Sequence, residues 1–213
     1  MIRRNKRNLL ISSIIILLPM AAGLMLWSRL PQRLPTHWNV QGVVDGWSGK
    51  GFAVFGIPLF LLAMHWLCVA ITAADPKSTG QSRKAMGLVI GVCPLISVLV
   101  GAITYTTALG MEVRVERVVP LVIGLMIAVI GNYLPKCKQN YTMGIKVPWT
   151  LADEGNWDAT HRFGGKVWVI GGVAIALCAF LPRAVLFPVF LVLLTVMVFL
   201  PILYSYLYYR KHK

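Results

Sequence analysis

Two polar stretches hold most of the side chains in this sequence that could react or recognise a partner. The longer, Lys136 to Gly172, contains Asp153, Glu154, Asp158, His161 and three of the seven tryptophans. The shorter, Arg29 to Gly51, contains His37, Trp38, Asp45 and Trp47. Metal-dependent hydrolysis needs two histidines and a carboxylate converging on one ion, usually announced by H-E-x-x-H on a helix. Asp158 and His161 supply only part of such a set, and His37 belongs to the other stretch. Nucleophilic catalysis needs a serine or cysteine beside a base, and no such pairing stands out. The four cysteines show no C-x-x-C spacing, so no disulfide, cysteine-held metal or other cofactor is expected. The chemistry on offer is recognition, and the chain is not expected to be an enzyme.

In the shorter stretch, Pro31 and Pro35 forbid a continuous helix, while Gly42, Asp45-Gly46 and Gly49 supply turn conformations. A compact loop reversed at the D-G pair is expected, with Pro35, His37, Trp38, Asn39, Gly42, Asp45 and Gly46 as its binding residues. In the longer stretch, Pro148-Trp149-Thr150 reads as a helix start, with Thr150 as N-cap and Asp153 and Glu154 in the first turn, where the helix dipole favours negative charge. At helical spacing Trp157, His161, Gly164 and Trp168 share one face. An amphipathic helix lying at the cytoplasmic surface and leading into the following span is therefore expected.

Everything around these stretches is apolar. Of 213 residues 57% are hydrophobic and 13% charged, about half the charge of a soluble domain. Six segments approach the length that crosses about 30 Å of hydrocarbon: 8–27, 52–73, 85–109, 118–134, 167–181 and 184–206. The fifth is short, so its helix should begin upstream, near Phe163 to Lys166. The net charge of +14 does not form a nucleic-acid patch. Instead, of 21 basic residues only Arg29, Arg33, Lys50, Arg114, Arg117 and Arg183 fall on one side of the expected membrane. The cationic majority marks the cytoplasmic side, giving an all-α, polytopic, six-helix topology with both termini inside.

The halves 1–109 and 110–213 each read helix, long polar loop (29–51 and 135–166), helix, short turn, helix. With three helices per half, the long loops face opposite sides, the arrangement of an inverted three-helix repeat. Gly164-Gly165 and Gly171-Gly172 form a smooth strip for a neighbouring backbone, and Gly87, Gly91 and Gly101 read as close-packing positions. His65 is an ionisable group deep in a span, but no helix carries an acid to join it in a relay. It reads as a helix-to-helix hydrogen bond.

Both loops resemble the SdpI family of bacterial membrane proteins, whose members join an N-terminal domain of unknown function bearing a P-x-H-W loop to a characteristic C-terminal region. The matching residues are Leu34-Pro35-Thr36-His37-Trp38-Asn39, Gly42 and Asp45-Gly46, then Gly131-Asn132, Asn140, Gly144-Ile145, Pro148-Trp149-Thr150, Trp157 and Thr160-His161-Arg162-Phe163-Gly164-Gly165. Lys146 stands where the family pattern G-I-R-x-P-W-T has arginine, which keeps the charge and loses a bidentate donor. The resemblance implies a plasma-membrane immunity protein that protects against a secreted peptide toxin. It also implies, for some members, signalling by holding a transcriptional repressor at the membrane. On that reading the outer loop meets the toxin. The inner one, through Asn140, Gly144, Pro148, Trp149, Thr150, Trp157, Thr160, His161, Arg162 and Gly164, serves a cytoplasmic partner. A small membrane transporter is the alternative, and an intramembrane metal enzyme a weaker one. Toxin, repressor and oligomeric state are not named by the sequence.

Overall fold

Leu9, Ser12, Ile16, Pro19 and Gly23 are the buried positions of helix α1 (Lys6–Met25), spaced three and four apart along one stripe. The rest of its surface is apolar and exposed, with Leu10, Ile14 and Leu18 uncovered. A helix that is apolar all round yet packs on one stripe only is suited to lipid on its other sides. The computed structural model describes residues 2, 5–77 and 83–212. Arg3, Arg4 and Lys213 of the charge count, and residues 78–82, lie outside the described residues. The remaining elements are strands β1 (Arg33–Trp38) and β2 (Val44–Gly49) and helices α2 (Ile57–Ala74), α3 (Arg83–Ala108), α4 (Val115–Tyr133), α5 (Pro148–Ala152), α6 (Glu154–Cys178) and α7 (Arg183–Lys211). The chain falls into two units, Met1–Ala73 with Gly87–Val115, and Ala74–Met86 with Glu116–Lys213.

In the first unit α1 is tied to α3 by polar groups reaching helix carbonyls. Ser97 donates to Ile16 O at 2.8 Å and Tyr105 donates to Pro19 O at 2.8 Å. Gly101 faces the Pro19 ring, so a side chain there would displace it. Gly87 and Gly91 differ from expectation: a Cβ at either would meet nothing within 4 Å. Their spacing resembles a packing strip, but no neighbour among the described residues approaches it. Pro58 has no N–H to donate into the helix, and the turn before it, Phe52–Gly56, opens into a π-helical turn. Ser12 Oγ donates to Leu9 O and lies 2.9 Å from His65 Nε2, so the imidazole donates through Nε2 and joins α2 to α1.

The all-α expectation is corrected by a β-hairpin in the loop between α1 and α2. Strands β1 and β2 pair antiparallel, from Arg33 opposite Gly49 to Trp38 opposite Val44. The reversal is at Asn39 to Val43, not at Asp45-Gly46. Asn39 Oδ1 accepts from Gln41 N and Val43 N, and Gly42 takes φ +76°, a conformation that suits glycine. Asp45-Gly46 lies within β2 because its partners are across the strand pair. The hairpin stands on an apolar base of Leu30, Leu34, Ala53, Val54 and Tyr105.

In the second unit α6 is one continuous helix of 25 residues, about 37 Å long. It begins at Glu154 and runs without a break from the polar stretch into the span, as the expected surface helix leading into that span would. It packs closely on α4, where Gly172 faces the Gly124 carbonyl and the Ala128 backbone and Gly131 faces Trp168. On its other side Gly171 faces Met197 of α7, and Trp168 donates to Met197 O at 3.0 Å. Among the described residues five helical stretches are long and apolar enough to cross a membrane: Lys6–Met25, Phe52–Ala74, Ala85–Ala108, Val115–Lys136 and Ala184–Lys211. Helix α6 has the length but opens with polar residues.

Candidate functional site

The hairpin presents two different faces. Leu34 and Pro35 are buried in its base, and Lys50 anchors the end of β2 by donating to Trp27 O at 3.0 Å while lying over the Trp27 ring. Beyond Pro35 a bulge interrupts the pairing and re-aims the strand. His37 then sits opposite Gly46, where a Cβ would come within 2.8 Å of the histidine Cβ, and its Nδ1 meets Asp45 Oδ1 at 2.5 Å. The pair is solvent-exposed. Around it Val40, Val43 and Trp47 are all more than half exposed, and Trp38 is half-buried. The result is an apolar patch with a polar pair at its centre, on a strand pair whose outer edges carry no further strand among the described residues. Such edges and patches recognise extended peptides. Pro35, Asn39, Gly42 and Gly46 shape this surface, whereas His37, Asp45 and Trp47 form it.

The second candidate site is folded around Trp157 and His161. Trp157 donates through Nε1 to Cys137 O at 2.8 Å, and its ring stacks on His161 with centroids 4.0 Å apart. His161 donates from Nδ1 to Trp157 O at 2.7 Å and accepts at Nε2 from Ile145 N at 3.0 Å. Those two backbone partners select the Nδ1-protonated neutral imidazole. Gly144, at φ +105°, lies against the histidine where a side chain would clash. Asn140 is fully buried and closes the loop on itself, its Oδ1 accepting from Thr142 N and Met143 N and its Nδ2 donating to Lys138 O and Met143 O.

Three expectations are corrected here. The face bearing Trp157, His161 and Gly164 does not rest on the bilayer: Trp157 is 0% and His161 1% exposed, and Gly164 packs against Ile145 and Pro201. Helical spacing identified the face, but the 137–147 loop and α7 cover it. Nor is Thr150 an N-cap. It is the third residue of the single turn α5, which Pro148 opens, and its hydroxyl accepts from Val147 N at 3.0 Å while reaching the Ile145 and Val147 carbonyls. The cap of α6 is Asp153, whose Oδ1 accepts from Gly155 N at 2.7 Å. The docking surface expected of Trp157, His161 and Arg162 together is reduced to Arg162, the exposed member.

Thr160 donates to Asn156 Oδ1, which also accepts from Ser205 Oγ, while Asn156 Nδ2 donates to Ser205 O, so α6 and α7 are tied by a fully buried polar cluster. Trp149 stacks on Tyr209 and meets Tyr206 edge-on, both of α7, with its Nε1 buried and without a partner among the described residues. Asp75 was missed by sequence reasoning. It is 5% exposed, and its Oδ2 accepts from Tyr141 N at 2.8 Å and Thr142 Oγ1 at 3.1 Å. Lys77 reaches Gln139 Oε1 at 2.7 Å, and Gln139 Nε2 donates to the Thr150 and Leu151 carbonyls. The one available signal was the scarcity of acids, only seven in the chain. Among the described residues no three His, Cys, Asp or Glu side chains group as a metal site would.

Residues 136–205 match the SdpI/YfhL protein family, and residues 14–62 match a domain of unknown function, DUF1648. The Trp157–His161 site lies inside the SdpI/YfhL match, and the hairpin lies inside the DUF1648 match. The chain is 29% identical to Immunity protein SdpI of Bacillus subtilis (strain 168) over 97% of both chains. No solved structure matches it. With its apolar helices, this likeness makes the chain a multi-pass bacterial membrane protein.

Burial holds the His161 pKa below its usual 6.5, against the opposing pull of the Trp157 carbonyl and of Asp158. The folded state therefore binds its proton less readily than the unfolded chain. Stability contributed by the neutral ring is complete above pH 6.5 and is lost as pH falls through the lower, folded value. Protonation would set Nε2–H against the Ile145 N–H. Denaturation midpoints of purified protein in detergent should thus fall between pH 7.5 and pH 5, and the fall should be smaller in His161→Gln. An equal fall in both proteins would assign the effect to other groups.

Proposed function

We propose that this protein is an integral membrane immunity protein that protects its cell against a secreted peptide toxin, recognised outside by the β-hairpin. The likeness to an immunity protein along nearly the whole chain carries this reading. The hairpin supports it, since an exposed apolar patch around His37 and Asp45 and an open strand edge suit an extended hydrophobic peptide. His37→Ala and Trp47→Ala should each weaken protection roughly 30-fold in toxin dose, the loss typical of an interface anchor. The measurement is survival of sensitive cells expressing each variant and exposed to the concentrated peptide fraction of a toxin-secreting culture, normalised to membrane level. Full protection by both variants would remove the hairpin from recognition. Failure of the wild type to protect against any such fraction would remove the immunity reading.

The membrane arrangement belonging to this proposal has six crossings, α6 being the one of mixed polarity, with both termini in the cytoplasm. The asymmetric cation distribution supports it. The plan of helix, long polar connection, helix, short turn, helix recurs in both halves and supports an inverted repeat. Cysteine at Val43 should react with an impermeant maleimide on intact cells and cysteine at Ala152 only after permeabilisation, in a background lacking the native cysteines. The opposite pattern would invert the topology. A signalling arm, holding a cytoplasmic repressor, is assigned to the exposed Tyr141 and Lys146 of the loop that Asn140 and Asp75 shape.

A further inference from the structure

Between the end of α4 and the first half of α6 runs a groove of about 640 Å3, lined by Asn132, Pro135, Phe163, Val169 and Ile170 together with Arg162 and Lys166. Arg162 and Lys166 are exposed, one helical turn apart, and neither makes a hydrogen bond or ion pair among the described residues. No acidic side chain lines the groove. Asp158, a further turn back, is exposed and is not paired to Arg162. Ile170, two turns beyond Arg162 and about 12 Å along the axis, is 71% exposed. The Phe163 ring, stacked on Tyr204 with centroids 4.4 Å apart, forms a rigid wall.

We propose that this groove binds an anionic phospholipid, with the phosphate held by Arg162 and Lys166 and an acyl chain laid along Val169 and Ile170. Two unpaired cations at one end attract a phosphate, and Arg supplies a forked donor suited to its oxygens. A free anion would leave the apolar remainder of the groove uncovered, whereas a lipid covers both ends in one molecule. Basic pockets between membrane helices commonly take anionic headgroups. The groove requires neither toxin nor repressor, so it stands independently of the immunity reading.

The test uses the full chain purified in neutral detergent, with dioleoylphosphatidylglycerol, dioleoylphosphatidylcholine and inorganic phosphate as probes and bound lipid counted by native mass spectrometry. Wild-type protein should retain phosphatidylglycerol in preference to phosphatidylcholine. The double substitution Arg162→Gln, Lys166→Gln should lower that retention about tenfold, while Arg210→Gln, a cation outside the groove, should leave it unchanged. Ile170→Gln, at a position already exposed, tests the acyl half separately should the double variant fail to fold, and it should weaken both lipids. Equal retention of the two lipids by wild type would overturn the proposal. So would an unchanged preference in the double variant or undiminished retention of both lipids in Ile170→Gln, and displacement of the lipid by millimolar inorganic phosphate would reassign the groove to a free anion.

Discussion

Replacing Trp157 with alanine should destabilise the protein by about 4 kcal/mol, the cost of emptying a large aromatic site in a packed interior. The side chain is fully buried and makes two contacts that hold the loop. Its Nε1 fixes the Cys137 carbonyl at the start of the loop, and its ring supports His161, which captures Ile145 N. Removing it therefore frees the Cys137 end of the 137–147 loop and takes the stacking support from the histidine that holds the Ile145 end. Trp157→Phe separates the contributions: the stack survives and the bond to Cys137 is lost, which should cost about 1 kcal/mol from the bond itself. Helicity followed during denaturant titration in detergent gives both numbers, and membrane abundance should follow the same order. Equal costs for the two substitutions would show that the hydrogen bond, not the packed ring, carries the effect.

Gly172→Ala should cost about 3 kcal/mol through overpacking, although it adds a single methyl group. A Cβ there would lie 2.5 Å from Ala128 N and 2.6 Å from Gly124 O, both backbone atoms of α4, so no rotamer change relieves the contact and the helices must part. The adjacent Gly171 offers the control. Its neighbour is the flexible thioether of Met197, which has room to turn, and Gly171→Ala should cost less than half as much. At Gly87, where a Cβ meets nothing, alanine should gain up to about 1 kcal/mol by helix propensity. The order Gly172, Gly171, Gly87 in thermal stability checks the α4–α6 approach directly. A neutral Gly172→Ala would mean that these helices are farther apart than the contact requires.

Local composition determined a good deal by itself. Segment hydropathy located α1 to α4 and α7 within a few residues, because a span must satisfy its backbone internally and present apolar side chains along its whole length. The low charge and the lack of paired catalytic groups pointed to recognition, and the polar stretches already held His37, Asp45, Trp157 and His161. Spacing also placed Trp157, His161 and Gly164 on one face of a helix, as found. What covers that face is a different matter. Gly144, Ile145 and Pro201 are distant in sequence or in another element, and periodicity carries no information about a partner that lies outside its window. The same limit explains Thr150 and Asp153, two adequate caps three residues apart, between which the pull of the Ile145 carbonyl on Thr150 decided. It explains Asp45-Gly46, a sound turn signal overruled by Asn39 and Gly42 once Asp45 had found His37 across the strands. Asp75 shows it most plainly: a carboxylate at a helix end reads as solvated until the Tyr141 and Thr142 donors are brought to it by the fold. Burial in a membrane is a property of the segment, whereas burial within the protein, and the choice among competing hydrogen-bond partners, belongs to the tertiary structure.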